Sequence, residues 1–278
     1  MRAHHVLSEA ARALERGERI ALVTLVGKEG SGPRDLGAMM LVYPDGSKVG
    51  TIGGGEFEKH VVREALEAIE EGRPRRAKFA LRRENIPEDA KPTNMLCGGV
   101  VEVFINVLKP RPRAIIVGGG HVGKPLADVA NILGYRVLVV ERDEKLASPD
   151  RFPYAEKIIV TQDIPGELSK MEYSLEDIAF IVFGEVETDY QSLKMLLAKK
   201  FPGHIWVLCS KTRANWMLKR LVDEGVDVAS HREKIHMPAG LAINSDTPEE
   251  IAVSIWAEAI CVQKGCMPPV ESLGMRIE

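Results

Sequence analysis

Between Ala114 and Glu141 the chain carries a pattern that only a narrow set of folds accommodates. Ala114 to Val117 reads as a short buried strand, followed by Gly118-Gly119-Gly120-His121-Val122-Gly123 and an apolar helix from about Lys124 to Leu133. A second apolar strand, Arg136 to Val140, ends on Glu141. In a strand-turn-helix of this kind the first glycine permits the tight turn. The second lets a pyrophosphate approach the backbone, and the third lets the helix pack on the strand. Glu141 falls about where a carboxylate accepts hydrogen bonds from a ribose diol. Gly118, Gly120, His121, Gly123 and Glu141 are therefore the expected nucleotide contacts, with His121 facing the ligand edge. A stretch of domain length precedes this unit and has glycine motifs of its own, so the nucleotide-type fold is expected to be only part of the site.

Lys109-Pro110-Arg111-Pro112-Arg113 marks a boundary, because two prolines so close together can continue neither a helix nor a sheet interior. The expected domains are 1–109 and 110–278. Beyond the boundary, strands at Ala114 to Val117, Arg136 to Val140, Lys157 to Val160, Ile178 to Val182 and His204 to Leu208 alternate with helical patterns. That alternation predicts a parallel sheet covered on both faces. Thr247-Pro248-Glu249-Glu250 opens the last helix with a capping box.

The first half reads differently. A helix from His4 to Arg16 is followed by a strand, Arg19 to Val26, and then by a hairpin around Pro44-Asp45-Gly46. Gly53-Gly54-Gly55-Glu56 opens a helix to about Glu71. Strands follow at Arg76 to Leu81 and Val100 to Leu108, separated by an irregular polar loop. The fold class expected is α/β: an N-terminal α+β domain, mostly antiparallel, followed by a C-terminal Rossmann-like domain.

Composition removes several functions. A net charge of -3 gives no nucleic-acid footprint. No segment approaches the roughly 18 apolar residues of a membrane span, and the charged N-terminal helix pattern is not that of a signal peptide. Four cysteines in 278 residues make no disulfide framework, so free thiols and a cytoplasmic location are expected. No His-Glu-x-x-His, Gly-x-Ser-x-Gly or Walker motif occurs.

Gly53-Gly54-Gly55 lies between a strand and a helix N-terminus, where successive amides and the helix dipole favour an anion; a tight turn is the alternative. Cys97-Gly98-Gly99 presents a thiol at the mouth of a strand. Such a thiol can ligate a metal, carry sulfur or act as a nucleophile, or else fill space as a small buried hydrophobe. Arg34, in the loop Gly30-Ser31-Gly32-Pro33-Arg34, has the fork geometry for phosphate or carboxylate.

Taken in order, these motifs resemble the xanthine dehydrogenase accessory family (XdhC/CoxI), maturation factors for molybdenum hydroxylases. The resemblance covers nearly the whole chain. It rests on Gly30 to Arg34, Gly37-Ala38-Met39-Met40, Asp45-Gly46, Gly50 to Gly55 with Glu58, and Cys97-Gly98-Gly99. It continues through Gly118 to Gly123, Ile235-His236-Met237-Pro238, Gly240-Leu241, and Thr247 to Ile255 with Ala257-Glu258. Leu96 stands where the family often has a second cysteine. Gly184 to Asp189 keeps the aspartate of a family Thr-His-x-His-x-x-Asp stretch without its histidines.

The resemblance implies a chaperone, not a catalyst, that binds molybdenum cofactor (molybdopterin), assists its sulfuration and delivers it to an apo-hydroxylase. An apo-molybdenum hydroxylase, a cysteine desulfurase and a second copy of the chain are the partners implied. Ser31, Arg34, Gly53, Gly54, Gly55, Glu58, Cys97 and Gly98 are the implied cofactor contacts, with Cys97 nearest molybdenum and the cofactor held between the halves. The alternative is an NAD(P)-dependent oxidoreductase resting on the fingerprint and Glu141. It lacks a convincing proton donor or substrate clamp beyond His121 and His236.

Overall fold

The computed structural model describes residues 3–93, 95 and 98–266. The chain divides into two compact units, Met1–Pro110 and Arg111–Glu278.

The first unit contains α1 (Ala3–Glu15), β1 (Ile20–Glu29), β2 (Met39–Val42), β3 (Lys48–Gly50), α2 (Gly55–Glu71), β4 (Arg75–Ala80), β5 (Ala90–Pro92) and β6 (Val100–Leu108). Its strands form one sheet in the order β3-β2-β1-β6-β4-β5. All neighbours are antiparallel except β4 and β5. Alternation along β1 decides what lies on each face. Ala21, Val23 and Leu25 meet Phe57, Val61 and Ala65 of α2, whereas Ile20 meets Val6, Ala10 and Ala13 of α1. The stripe on α1 is narrower than its sequence suggests, for Leu7 is 47% exposed. The segment expected to be irregular holds β5, an edge strand on which Pro92 costs no ladder hydrogen bond.

The second unit contains β7 (Arg113–Val117), α3 (Gly123–Ile132), β8 (Arg136–Glu141), β9 (Lys157–Val160), α4 (Ile164–Lys170) and β10 (Ile178–Ile181). It continues with α5 (Val186–Ala198), β11 (His204–Val207), α6 (Lys211–Asp223), β12 (Ile235–His236) and α7 (Pro248–Gln263). Every strand pair is parallel, in the order β12-β11-β10-β7-β8-β9. The winding direction reverses between β7 and β10. Leu126 and Ala130 of α3 pack with Ile255 and Trp256 of α7 over one face, and Leu168, Tyr190, Leu193 and Met217 cover the other. Strands buried on both sides read as unbroken apolar runs, as Ile115, Ile116 and Val117 do. At α7, Thr247 and Glu250 exchange the two hydrogen bonds of a capping box.

Cys261 and Cys266 are paired, where free thiols were expected. The end of α7 turns through Gly265, so that the Cys266 amide donates to the Cys261 carbonyl at 2.9 Å and the side chains meet. Among the described residues no helix is long and apolar enough to cross a membrane.

Candidate functional site

In the first unit three separated motifs are folded against one another. A β-carbon on Gly99 would stand 2.2 Å from the Ser31 carbonyl oxygen, so the Gly98-Gly99 turn lies directly on the Gly30–Arg34 loop. A β-carbon on Gly53, whose φ is +147°, would enter the Pro33 ring at 2.3 Å. Met95 borders Gly55, its sulfur 3.7 Å from where a β-carbon would sit. Ser31 and Arg34 are exposed at this junction, and Arg34 lines a cavity of about 140 Å³ with Thr51, Gly37 and Met39. Cys97 and Leu96, the positions singled out for a thiol and its missing companion, lie outside the described residues.

Glu58 has a different task from the outward contact expected of it. It is 3% exposed, and Oε2 accepts from Thr51 Oγ1 at 2.6 Å, the Ile52 amide at 3.1 Å and the Gly54 amide at 3.0 Å. Its other oxygen receives the Lys48 ammonium. The glycine turn into α2 is thus already supplied with a carboxylate by the helix it opens. Nothing in the residue pattern distinguished a carboxylate turned to its own loop from one turned to a ligand.

In the second unit the fingerprint residues gather at the carboxyl ends of β7 and β8. Gly123 is held tightly, since a β-carbon there would stand 1.8 Å from the Gly118 carbonyl oxygen. A β-carbon on Gly120 would meet nothing within 4 Å, and its backbone is not left-handed. His121 is exposed on the same turn. Glu141 is 3% exposed and engaged internally: Oε2 accepts from the Gly119 amide at 2.7 Å, and Oε1 from the Arg142 and Asp143 amides at 2.5 and 3.2 Å. The carboxylate expected on a ribose therefore fixes the turn.

Other polar side chains at this end were not singled out as contacts. Asp189 is fully buried and accepts from the Phe183 and Gly184 amides, both at 3.2 Å. Burial pushes its carboxyl up to about 7. Burial likewise pushes the half-buried Cys209 thiol up to about 11, so it is not a thiolate. The β11–β12 register sets His236 beside Trp206, on whose ring it stacks, and His236 also shares a hydrogen bond of 3.0 Å with His204. Burial lowers both imidazoles to about 4, which keeps them neutral. Glu258 holds the Trp206 indole N–H at 3.0 Å and the Gly240 amide at 2.7 Å, a use of the motif that secures the last strand. No cluster of three or more His, Cys, Asp or Glu side chains suited to a metal ion occurs among the described residues.

Comparison with known proteins adds a family. Residues 114–259 match the XdhC Rossmann domain, and residues 13–80 match the XdhC and CoxI family. An uncharacterized Escherichia coli K12 protein, YqeB, is 31% identical over 259 residues, 93% of this chain and 46% of that protein. A probable xanthine dehydrogenase subunit from Bacillus subtilis 168 is 30% identical over 181 residues, 65% of this chain and 49% of that one. The E. coli K12 molybdenum cofactor insertion chaperone PaoD is 40% identical over 74 residues, 27% of this chain and 23% of that protein. The chain thus spans half or less of the length of these relatives.

Proposed function

The chain belongs to the XdhC and CoxI family, and from that premise we propose that it is a maturation factor that binds molybdenum cofactor and passes it to a molybdenum hydroxylase. The observation that carries this reading is the convergence of the Gly30–Arg34 loop, the Gly53–Gly55 turn and the Gly98-Gly99 turn in the first unit. A pterin dithiolene with a terminal phosphate needs a shaped rim, a cation for its phosphate and a soft atom near its metal. Arg34 and Ser31 are exposed where the phosphate would be met, and Cys97 is the sulfur ligand that the proposal assigns. Glu58 and Lys48 keep the rim in shape from within. Family kinship with an insertion chaperone supports a carrier that releases its cargo instead of turning over substrate. Sulfuration of the cofactor by a cysteine desulfurase, delivery to an apo-hydroxylase and self-association as a homodimer belong to the same proposal.

The test is to purify the chain from a host that makes the cofactor, measure molybdenum, and read pterin fluorescence after denaturation. The wild type should carry both, and Cys97→Ala and Arg34→Ala should each carry several-fold less. Purification free of molybdenum and pterin, repeated after loading with excess cofactor, would overturn the reading.

A further inference from the structure

Cys261 and Cys266 are joined at the end of α7, and two features set the pair apart from a structural cross-link. The bond spans a sequence separation of 5, and a disulfide constrains the unfolded chain least when its loop is this short. The turn that brings the sulfurs together is also held without it. The Cys261 carbonyl accepts from the Lys264 amide at 3.1 Å and the Cys266 amide at 2.9 Å. The Gly265 amide donates to the Val262 carbonyl at 3.0 Å, and Gly265 itself takes the left-handed conformation, with φ +73°. The helix beneath is anchored by buried Ile255, Trp256 and Ala259 and by the Trp256 indole, which donates to the Leu126 carbonyl at 2.9 Å. The Tyr135 hydroxyl donates to Gln263, between the two cysteines. The sulfurs therefore stay neighbours whether or not the bond between them is made.

The two cysteines are unequal. Cys266 is exposed, whereas Cys261 is 4% exposed. A reagent from outside meets Cys266 first, and what it leaves there lies against Cys261. That order suits sulfane sulfur, the zero-valent sulfur at the end of a persulfide. The Cys266 thiolate attacks the terminal sulfur of a donor persulfide. The donor's S–S bond breaks, its thiolate leaves with the electron pair and takes up a proton, and Cys266 holds the persulfide. The Cys261 thiolate then attacks the Cys266 sulfur. The bond to the outer sulfur breaks, hydrosulfide leaves with the electron pair, and the Cys261–Cys266 disulfide forms. Hydrosulfide is a weaker base than a cysteine thiolate, so it is the better leaving group. The outer sulfur is reduced, the pair of thiols is oxidised, and a dithiol reductant restores them.

We infer that Cys261 and Cys266 form a site of sulfur chemistry, which takes sulfane sulfur from a persulfide and releases it as hydrosulfide. The site gives the proposed sulfuration of the cofactor a source of sulfide, and for that use alone it rests on the proposed function.

The test treats the full chain, reduced with a dithiol and then freed of it, with glutathione persulfide. Released sulfide is measured, and the cysteines are mapped by peptide mass. The wild type should release sulfide in proportion to the disulfide it forms between Cys261 and Cys266, well above the background of the chain with both replaced by serine. Cys261→Ser should stop half-way, with an added sulfur atom on Cys266 and sulfide at background. Cys266→Ser should show neither product. Circular dichroism should find the variants folded, since the turn is held by its backbone. A wild type that releases no sulfide above background, or releases it without joining the pair, would overturn the site. So would a Cys261→Ser chain whose Cys266 is unmodified or carries glutathione in place of sulfur. The assay contains no molybdenum and no pterin, so its failure leaves the carrier reading standing. A chain that releases sulfide but loads no cofactor would overturn the carrier reading alone.

Discussion

The turn into α2 and the turn into α3 are both glycine-rich, and each is held by a carboxylate only 3% exposed. In the first, the carboxylate belongs to the helix itself. Glu58 sits four residues after Gly54, takes its amide and that of Ile52, and is neutralised by Lys48. In the second, the carboxylate comes from the neighbouring strand. Glu141 takes the Gly119 amide and spends its other oxygen on its own chain, leaving α3 without an acid in its first turn. One junction is held by a carboxylate of the helix it opens, and the other by a carboxylate from the strand beside it. Similar strings of glycines are therefore held in different ways, and the placement of one glutamate separates them.

The sharpest test of the second turn compares two of its glycines. Gly123→Ala should cost about 3–5 kcal/mol, because a β-carbon 1.8 Å from the Gly118 carbonyl forces the turn open. Gly120→Ala should change stability by no more than about 0.5 kcal/mol. All tryptophans lie in the second unit, so urea unfolding followed by their fluorescence reads this unit alone. Equal losses would show that Gly120 is also structural.

For the first turn, Glu58→Gln keeps the shape but removes the charge that answers Lys48 and one of the acceptors. Loss of about 2–3 kcal/mol is expected, measured by circular dichroism. An unchanged midpoint would mean that the turn does not rely on its internal carboxylate.

A smaller effect concerns pH. His204 and His236 are held near 4, so below their ordinary value of 6.5 the unfolded chain takes up protons that the fold refuses. Their contribution is complete above 6.5 and is lost as pH falls toward 4, on the order of 1–3 kcal/mol in the second unit. Asp189 acts in the opposite sense. Its proton is kept to about 7, so its contribution is lost as pH rises from about 4 to 7. His236→Phe should therefore flatten the fall of Tm between pH 6.5 and 4. Parallel profiles for the variant and wild type would show that the pair does not titrate as described.

The long periodic elements were legible in the sequence. The run from Ala114 to Glu141, the hairpin at Pro44-Asp45-Gly46 and the capping box at Thr247 each carry their own local chemistry, and each stands in the structure where the residues place it. β5 and β12 were not legible, because three and two residues are too few to show a period. The site was legible as a set of motifs but not as a geometry. Sequence placed Glu58 and Glu141 beside glycine turns, yet the direction of a carboxylate depends on side-chain torsions and on donors elsewhere in the fold. The Arg142 bridge to Glu185 spans 43 residues and exists only because β8 and β10 flank β7. The His204–His236 contact arises in the same way, from the pairing of β11 with β12.

The carrier role is probed best by the activity of a molybdenum hydroxylase made in cells with and without this chain, together with the sulfuration state of its cofactor. Without the chain the hydroxylase should accumulate folded but inactive, with its cofactor missing or unsulfurated, and supplying the chain should restore it. A fully active, fully sulfurated hydroxylase from cells lacking the chain would contradict that role.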